Sequence, residues 1–243
     1  MRLFAALGTL LALSTLGCLG HEAAEHAGPA QVRVEPVAPA DPQPPTEAAS
    51  VEPTQVTTGV TVAPVAASAL PAGLGLQGDV AIAIRFHDGA GDNLLVLTQT
   101  ATHPSGADPD LRGAEVYGYQ YLLKSGAWTQ TWKIQDFVQD CPNDVTARHL
   151  TDSLEVTDLD GDGLAETSFI YRTACRGDVS PSTQKLLMHE GATKYALRGT
   201  ARIEAGGTPF GGTYEADPAF EAAPPAFLAE ADALWERHVL ETF

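Results

Sequence analysis

Between Leu19 and Gly75 the chain has no Phe, Tyr or Trp, yet this stretch holds nine of the seventeen prolines. Such a segment, otherwise rich in Ala, Val, Thr, Glu and Gln, cannot bury enough apolar surface to offset the conformational entropy of ordering it. It reads as a disordered Pro/Ala-rich tether with polyproline-II character. The packed core is therefore expected from residues 76–243 of the 243-residue chain, a length that suits one domain. Fourteen Lys and Arg stand against thirty-one Asp and Glu, a formal charge of −17. A polyanion such as nucleic acid is repelled by that balance rather than steered in.

Met1-Arg2 supplies a short positive region, and Leu3 to Leu16 is an apolar run broken only by Gly8, Thr9, Ser14 and Thr15. This is the layout of a secretory signal peptide. At about 14 residues the run falls short of the roughly 20 that cross a bilayer, so it reads as a cleaved segment. Ser14-Thr15-Leu16-Gly17-Cys18 resembles the bacterial lipobox, with Thr15 where those signals usually carry Leu. The resemblance implies that residues 1–17 are removed and that Cys18 is lipidated. It also implies a chain held at a bacterial envelope, extracytoplasmically and at the outer membrane, with 18–75 as its tether. Two or three acyl chains anchor stably where one is marginal. The alternative is an ordinary secretory signal with Cys18 merely near the cleavage point.

Past Leu76 the pattern changes to short apolar runs separated by Gly, Asp and Pro. Val80 to Phe86 and Leu94 to Thr98 read as strands around a Gly/Asp-rich turn, and Glu115 to Leu123 and Trp128 to Phe137 as strands around Lys124-Ser125-Gly126. Ser153 to Thr157, Thr167 to Arg172, Lys185 to His189 and Tyr195 to Glu204 extend the series. Little room is left for crossover helices, so the expected class is mainly β: antiparallel hairpins in a meander, forming one compact domain. After Pro224-Pro225, the residues Phe227, Leu228, Ala231, Leu234, Trp235, Val239 and Leu240 recur at helical spacing. They predict a C-terminal amphipathic helix packed on the sheet.

The most specific local chemistry lies in Asp158-Leu159-Asp160-Gly161-Asp162-Gly163-Leu164-Ala165-Glu166. Carboxylates at alternate positions converge on a hard cation, and the following glycine permits a sharp turn. Asp158, Asp160, Asp162 and Glu166, with the main-chain carbonyl of Leu164, form the expected ligand set, and oxygen-only ligands point to calcium. An EF-hand needs Glu at its twelfth position, which here is Phe169. The stretch instead resembles the calcium loop of integrin-type propeller repeats, with Glu166 replacing the last Asp. It occurs once, whereas a propeller carries one per blade, so the expectation is a single cation-pinned hairpin. An acidic turn without metal is the alternative, since Asp and Gly are also ordinary turn formers.

With Cys18 lipidated, Cys141 and Cys175 remain as an even pair in an oxidising compartment, and a disulfide is expected. It would enclose the whole acidic loop. No nucleophile elbow, zinc helix, phosphate loop or dinucleotide fingerprint is present in the sequence, so no catalytic residue is assigned. His87, His103, His149 and His189 stand at no ligand spacing and read as surface or hydrogen-bonded histidines. Arg176-Gly177-Asp178 reproduces the integrin-recognition tripeptide, but in a turn where Gly and Asp are expected anyway. Alternation puts Tyr117, Tyr119 and Tyr121 on one face, either as a sugar-stacking row or as one side of the core.

Several motifs together resemble a family of uncharacterised secreted bacterial proteins and lipoproteins, some labelled for surface polysaccharide biosynthesis. They are Trp132-x-x-x-Asp136, Cys141-Pro142-x-Asp144, the 158–166 loop, Cys175, Asp178-Val179-Ser180-Pro181-Ser182, Lys185-Leu186-Leu187-Met188 and Lys194-Tyr195-Ala196-Leu197-Arg198-Gly199. The expectation is a lipid-anchored envelope binding or structural module, stabilised by calcium, whose partner is a glycan or another envelope protein. The second expectation is an accessory enzyme of surface-polysaccharide assembly or modification.

Overall fold

A computed structural model describes residues 60–205 and 207–243. The expected signal peptide, Cys18 and the tether up to residue 59 lie outside the described residues. The strands are β1 Val62–Pro64, β2 Asp79–Asp88, β3 Gly91–Gln99, β4 His103–Pro104, β5 Arg112–Lys124, β6 Ala127–Cys141, β7 Asp144–Thr157, β8 Glu166–Arg176, β9 Thr183–Glu190, β10 Thr193–Thr200, β11 Arg202–Ala205, β12 Thr208–Gly211 and β13 Tyr214–Ala216. Among the described residues there is one α-helix, α1 Pro225–His238, after the last strand. The expected mainly β class with a C-terminal helix is what the chain adopts.

Two large antiparallel sheets form, beside a two-stranded pair of β11 and β12. The first has six strands in the order β1-β2-β3-β5-β4, with β6 pairing β5; the second has five, β13-β10-β9-β8-β7. The Lys124-Ser125-Gly126-Ala127 turn explains the β5–β6 hairpin: Ser125 and Gly126 both take positive φ, 51° and 81°. Such turns match the strand twist. The sheets share an apolar core, with Ile84, Leu95, Leu97, Val116 and Trp132 from the first meeting Leu154, Val156, Phe169, Leu187 and Ala196 from the second. Period-2 alternation then sends the intervening residues outward. Ile170, Leu186, Met188, Tyr195 and Leu197 therefore face the opposite side of the second sheet. There Phe227, Ala231, Leu234 and Trp235 of α1 cover them, at the spacing the sequence predicts.

The C-terminal end of α1 is capped from the sheet. Arg172 Nη2 donates to the carbonyls of His238, Val239 and Leu240 at 2.6, 3.4 and 3.1 Å, satisfying groups a helix end leaves unpaired. Beyond it, Glu241 accepts from Arg176 and from Ser182. Arg176 and the Ser182 donors hold its carboxyl down to about 2 against the opposing effect of burial.

Three expectations need correction. The fold begins upstream of Leu76: β1 pairs with β2, and Val65, Leu70, Leu74 and Leu76 cover Leu94, Val96, Tyr117, Tyr119 and Tyr121 on the outer face of the six-stranded sheet. Residues 60–75 thus belong to the domain, because their apolar side chains find a core supplied by strands far along the chain. The run from Tyr195 to Glu204 is two strands, broken at buried Ala201, where Arg202 N turns away to donate to Val239 O. The strand expected from Ser153 starts at Asp144, since Val145, Ala147 and His149 alternate toward the inter-sheet side.

Candidate metal centre

The acidic loop joins β7 to β8, and its backbone explains the glycines: Gly161 and Gly163 take φ of 75° and 88°, open to glycine at little cost. Each aspartate folds onto the loop. Asp158 Oδ1 accepts from Gly161 N at 2.8 Å, Asp160 Oδ1 from Asp162 N at 3.2 Å and Asp162 Oδ1 from Leu164 N at 2.7 Å. The preceding turn of the other sheet docks against it: Gly89 N donates to Gly163 O at 2.6 Å and Ala165 N to Asp88 Oδ2 at 3.2 Å.

Carboxylate oxygens of Asp158, Asp160 and Glu166 lie within 4.8 Å of one another. Oxygens on opposite sides of a bound calcium are about 4.6 to 5.2 Å apart, twice the usual Ca–O distance. Glu166 is fully buried. Its Oε2 accepts from Thr157 Oγ1 at 3.0 Å and Leu159 N at 2.9 Å, while Oε1 has no partner among the described residues. Burial pushes its carboxyl up to about 7, against the pull of those donors. An ionised carboxylate in that position carries a desolvation cost that a cation would offset. The residues could therefore hold a metal ion.

A second set combines Asp160 and Asp162 with Glu190, again within 4.8 Å. Glu190 ends β9 directly opposite Glu166 in the β8–β9 pairing, and its carboxyl is raised by burial and by Asp162 and Asp160. None of the five carboxylates forms an ion pair with Lys, Arg or His among the described residues. Sequence reasoning missed Glu190, because only the register of a separate hairpin brings it to the loop. Of the expected ligands, Asp158, Asp160, Asp162 and Glu166 converge in these two sets. Leu164 enters through its amide, on Asp162.

Cys141 and Cys175 form the expected disulfide, with Cα atoms 5.6 Å apart. It ties β6 of the first sheet to β8 of the second, which also carries Glu166. The tyrosine row is core: Tyr117, Tyr119 and Tyr121 are buried, with rings 6.2 and 6.3 Å apart, and Tyr121 Oη donates to Leu74 O at 2.7 Å. It is closed to a sugar by residues 60–76. Arg176 of the Arg-Gly-Asp stretch is held by Glu241 and Ser180 O rather than presented. His149 and His189 are buried, His149 donating from Nε2 to Thr98 O and Tyr117 O and His189 stacking on Trp132 at 4.0 Å.

Compared with known proteins, the chain matches no family model, no curated protein and no solved structure.

Proposed function

We propose that the chain is a binding or structural module of a bacterial cell envelope, anchored by lipid on Cys18 and braced by calcium in the 158–166 loop. The observation that carries the calcium part is the convergence of Asp158, Asp160 and Glu166 around a buried carboxylate oxygen with no other partner among the described residues. A hard cation with oxygen ligands is what such a group lacks. Calcium would join β7 to β8 at the end of the sheet opposite the disulfide, leaving a rigid scaffold on a long N-terminal arm. The lipobox-like Ser14 to Cys18 run supports the anchor. Binding suits the fold better than glycoside chemistry. The tyrosine row is covered, and the inter-sheet cleft that holds Tyr171 carries one carboxylate, Asp136, where hydrolysis of a glycosidic bond uses two.

Thermal unfolding of the full chain, with calcium and with excess chelator, tests the brace. Calcium is expected to raise the midpoint in the wild type and to have no effect in an Asp160→Ala, Asp162→Ala double variant; equal midpoints in the wild type would sink it. Labelling of cells with a fatty-acid probe tests the anchor, with incorporation expected in the wild type and lost on Cys18→Ala.

A further inference from the structure

Three of the chain's four lysines and one arginine border a single cleft of about 340 Å³ between β6 and the inner face of β9 and β10. β6 is an edge strand of its sheet, and its Trp132 and Asp136 meet His189 and Lys185 of β9 across the space between the sheets. Inward positions of β9 and β10 that would otherwise meet apolar cover carry Lys185, Lys194 and Arg198 around Leu187 and Ala196. Lys133 also borders the cleft, but its amine turns to the other face of the sheet, 5.2 Å from the Tyr117 ring.

The register makes this an unfavourable grouping for stability alone. Arg198 lies directly opposite Lys185, and like charges in that position repel. The fold balances each separately: Lys185 Nζ donates to Asp136 Oδ2 at 2.5 Å and Arg198 pairs with Asp217. Tyr171 Oη donates to the same Asp136 oxygen at 3.0 Å, and burial with Asp136 beside it raises the phenol, which stays a donor. Lys194, four residues along β10 and so about 14 Å from Arg198, forms no ion pair among the described residues. In a chain of net charge −17 a concave patch of this sign has no role in solubility.

We infer that this cleft is a binding site for an oxyanion, a phosphate or carboxylate group received between Lys194 and Arg198, with Lys185 beneath and Asp136 as its resident counter-ion. The ligand is anionic and of small-molecule or end-group size, since the cleft lies at the lower end of ligand-pocket volumes. The assignment depends neither on calcium nor on the anchor.

The test is calorimetric titration of the full-length chain, without added calcium, using inorganic phosphate, glucose 6-phosphate and glucuronate in turn, with glucose as the neutral control. Saturable binding of at least one anion and none of glucose is expected, weakening as salt is raised. Tight glucose 6-phosphate with weak glucuronate identifies a phosphorylated ligand; the reverse identifies a carboxylated one. Lys194→Gln, which breaks no ion pair among the described residues, is expected to weaken binding about tenfold, the scale of one charge-assisted hydrogen bond. Asp136→Asn frees Lys185 and is expected to tighten binding, whereas a merely structural Asp136–Lys185 pair would leave affinity unchanged. Absence of saturable binding by all three anions, or affinity indifferent to both substitutions, overturns the assignment.

Discussion

At the end of the β7–β8 hairpin four carboxylates come from nine consecutive residues, while the inter-sheet cleft takes its cations from two strands and their counter-ions from two further places in the chain. The acidic loop is local: its turns, glycines and hydrogen bonds close within 157–166, apart from the docking of Asp88 and Gly89. Nothing about the cleft is local. Lys185 and Arg198 become neighbours only through the β9–β10 register, and Asp136 reaches them only because the sheets pack face to face. A site written in one segment survives changes in packing elsewhere; a site assembled from packed strands moves with every wall it has.

The disulfide offers the strongest way to break that contrast. A bridge between residues 34 apart in the sequence contributes about 3 to 4 kcal/mol by loop-entropy reasoning. The Cys141→Ala, Cys175→Ala double variant should lose about that much in denaturant unfolding. Among the described residues β6 has β5 as its single ladder partner, whereas β8 is held on both sides by β7 and β9. Anion affinity in the variant should therefore fall more than calcium affinity. Equal losses would mean that the cleft wall is no more dependent on the bridge than the loop.

Between the two regions the inter-sheet core sets a shared pH response. Burial drives His149 down to about 4, its Nε2 donating to two carbonyls and its Nδ1 without a partner among the described residues. The unfolded chain takes up this proton near pH 6.5 and the folded chain only near 4, so stability is full above 6.5 and falls as pH drops toward 4. The loss is on the order of 3 kcal/mol. Denaturant midpoints at pH 7 and pH 4.5 should differ in the wild type by more than in His149→Gln; parallel shifts would place the acid sensitivity elsewhere.

How much of this the sequence disclosed follows the same division. The strands of the two meanders, the helix stripe from Phe227 to Trp235, the disulfide and the Asp158 to Glu166 loop are all short-range patterns, and the fold contains each of them. Glu190 was not legible: it is a polar residue before a glycine turn until β9 aligns with β8 and sets it opposite Glu166. Residues 60–75 were misread for the reverse reason. Val65, Leu70 and Leu74 show no periodicity among Ala and Pro, and their burial depends on a sheet face that Tyr117, Tyr119 and Tyr121 complete about fifty residues later. The three tyrosines were legible as a row, but what covers the row was not.

Glu190 is the point where the acidic site stops being local, and its removal sharpens the contrast at a scale of a few tenths of a kcal/mol. With cation removed, Glu190→Gln relieves the repulsion of a like charge directly opposite Glu166, about 0.2 to 1 kcal/mol for such pairs, and should raise the unfolding midpoint. With calcium present the same variant should gain less from the cation than the wild type does. A midpoint that rises equally in both conditions would confine the site to the loop.

The smallest effect on stability belongs to Lys194. Its side chain is exposed and forms no ion pair among the described residues. Lys194→Gln should therefore leave the unfolding midpoint within the ±0.5 kcal/mol typical of surface changes. Arg198→Gln gives the internal comparison, because it also frees Asp217 and should cost more stability for a similar loss of anion binding. If Lys194→Gln instead destabilises the chain as much as Arg198→Gln does, the lysine holds the β9–β10 hairpin together. The cations would then be strand furniture with no ligand to meet.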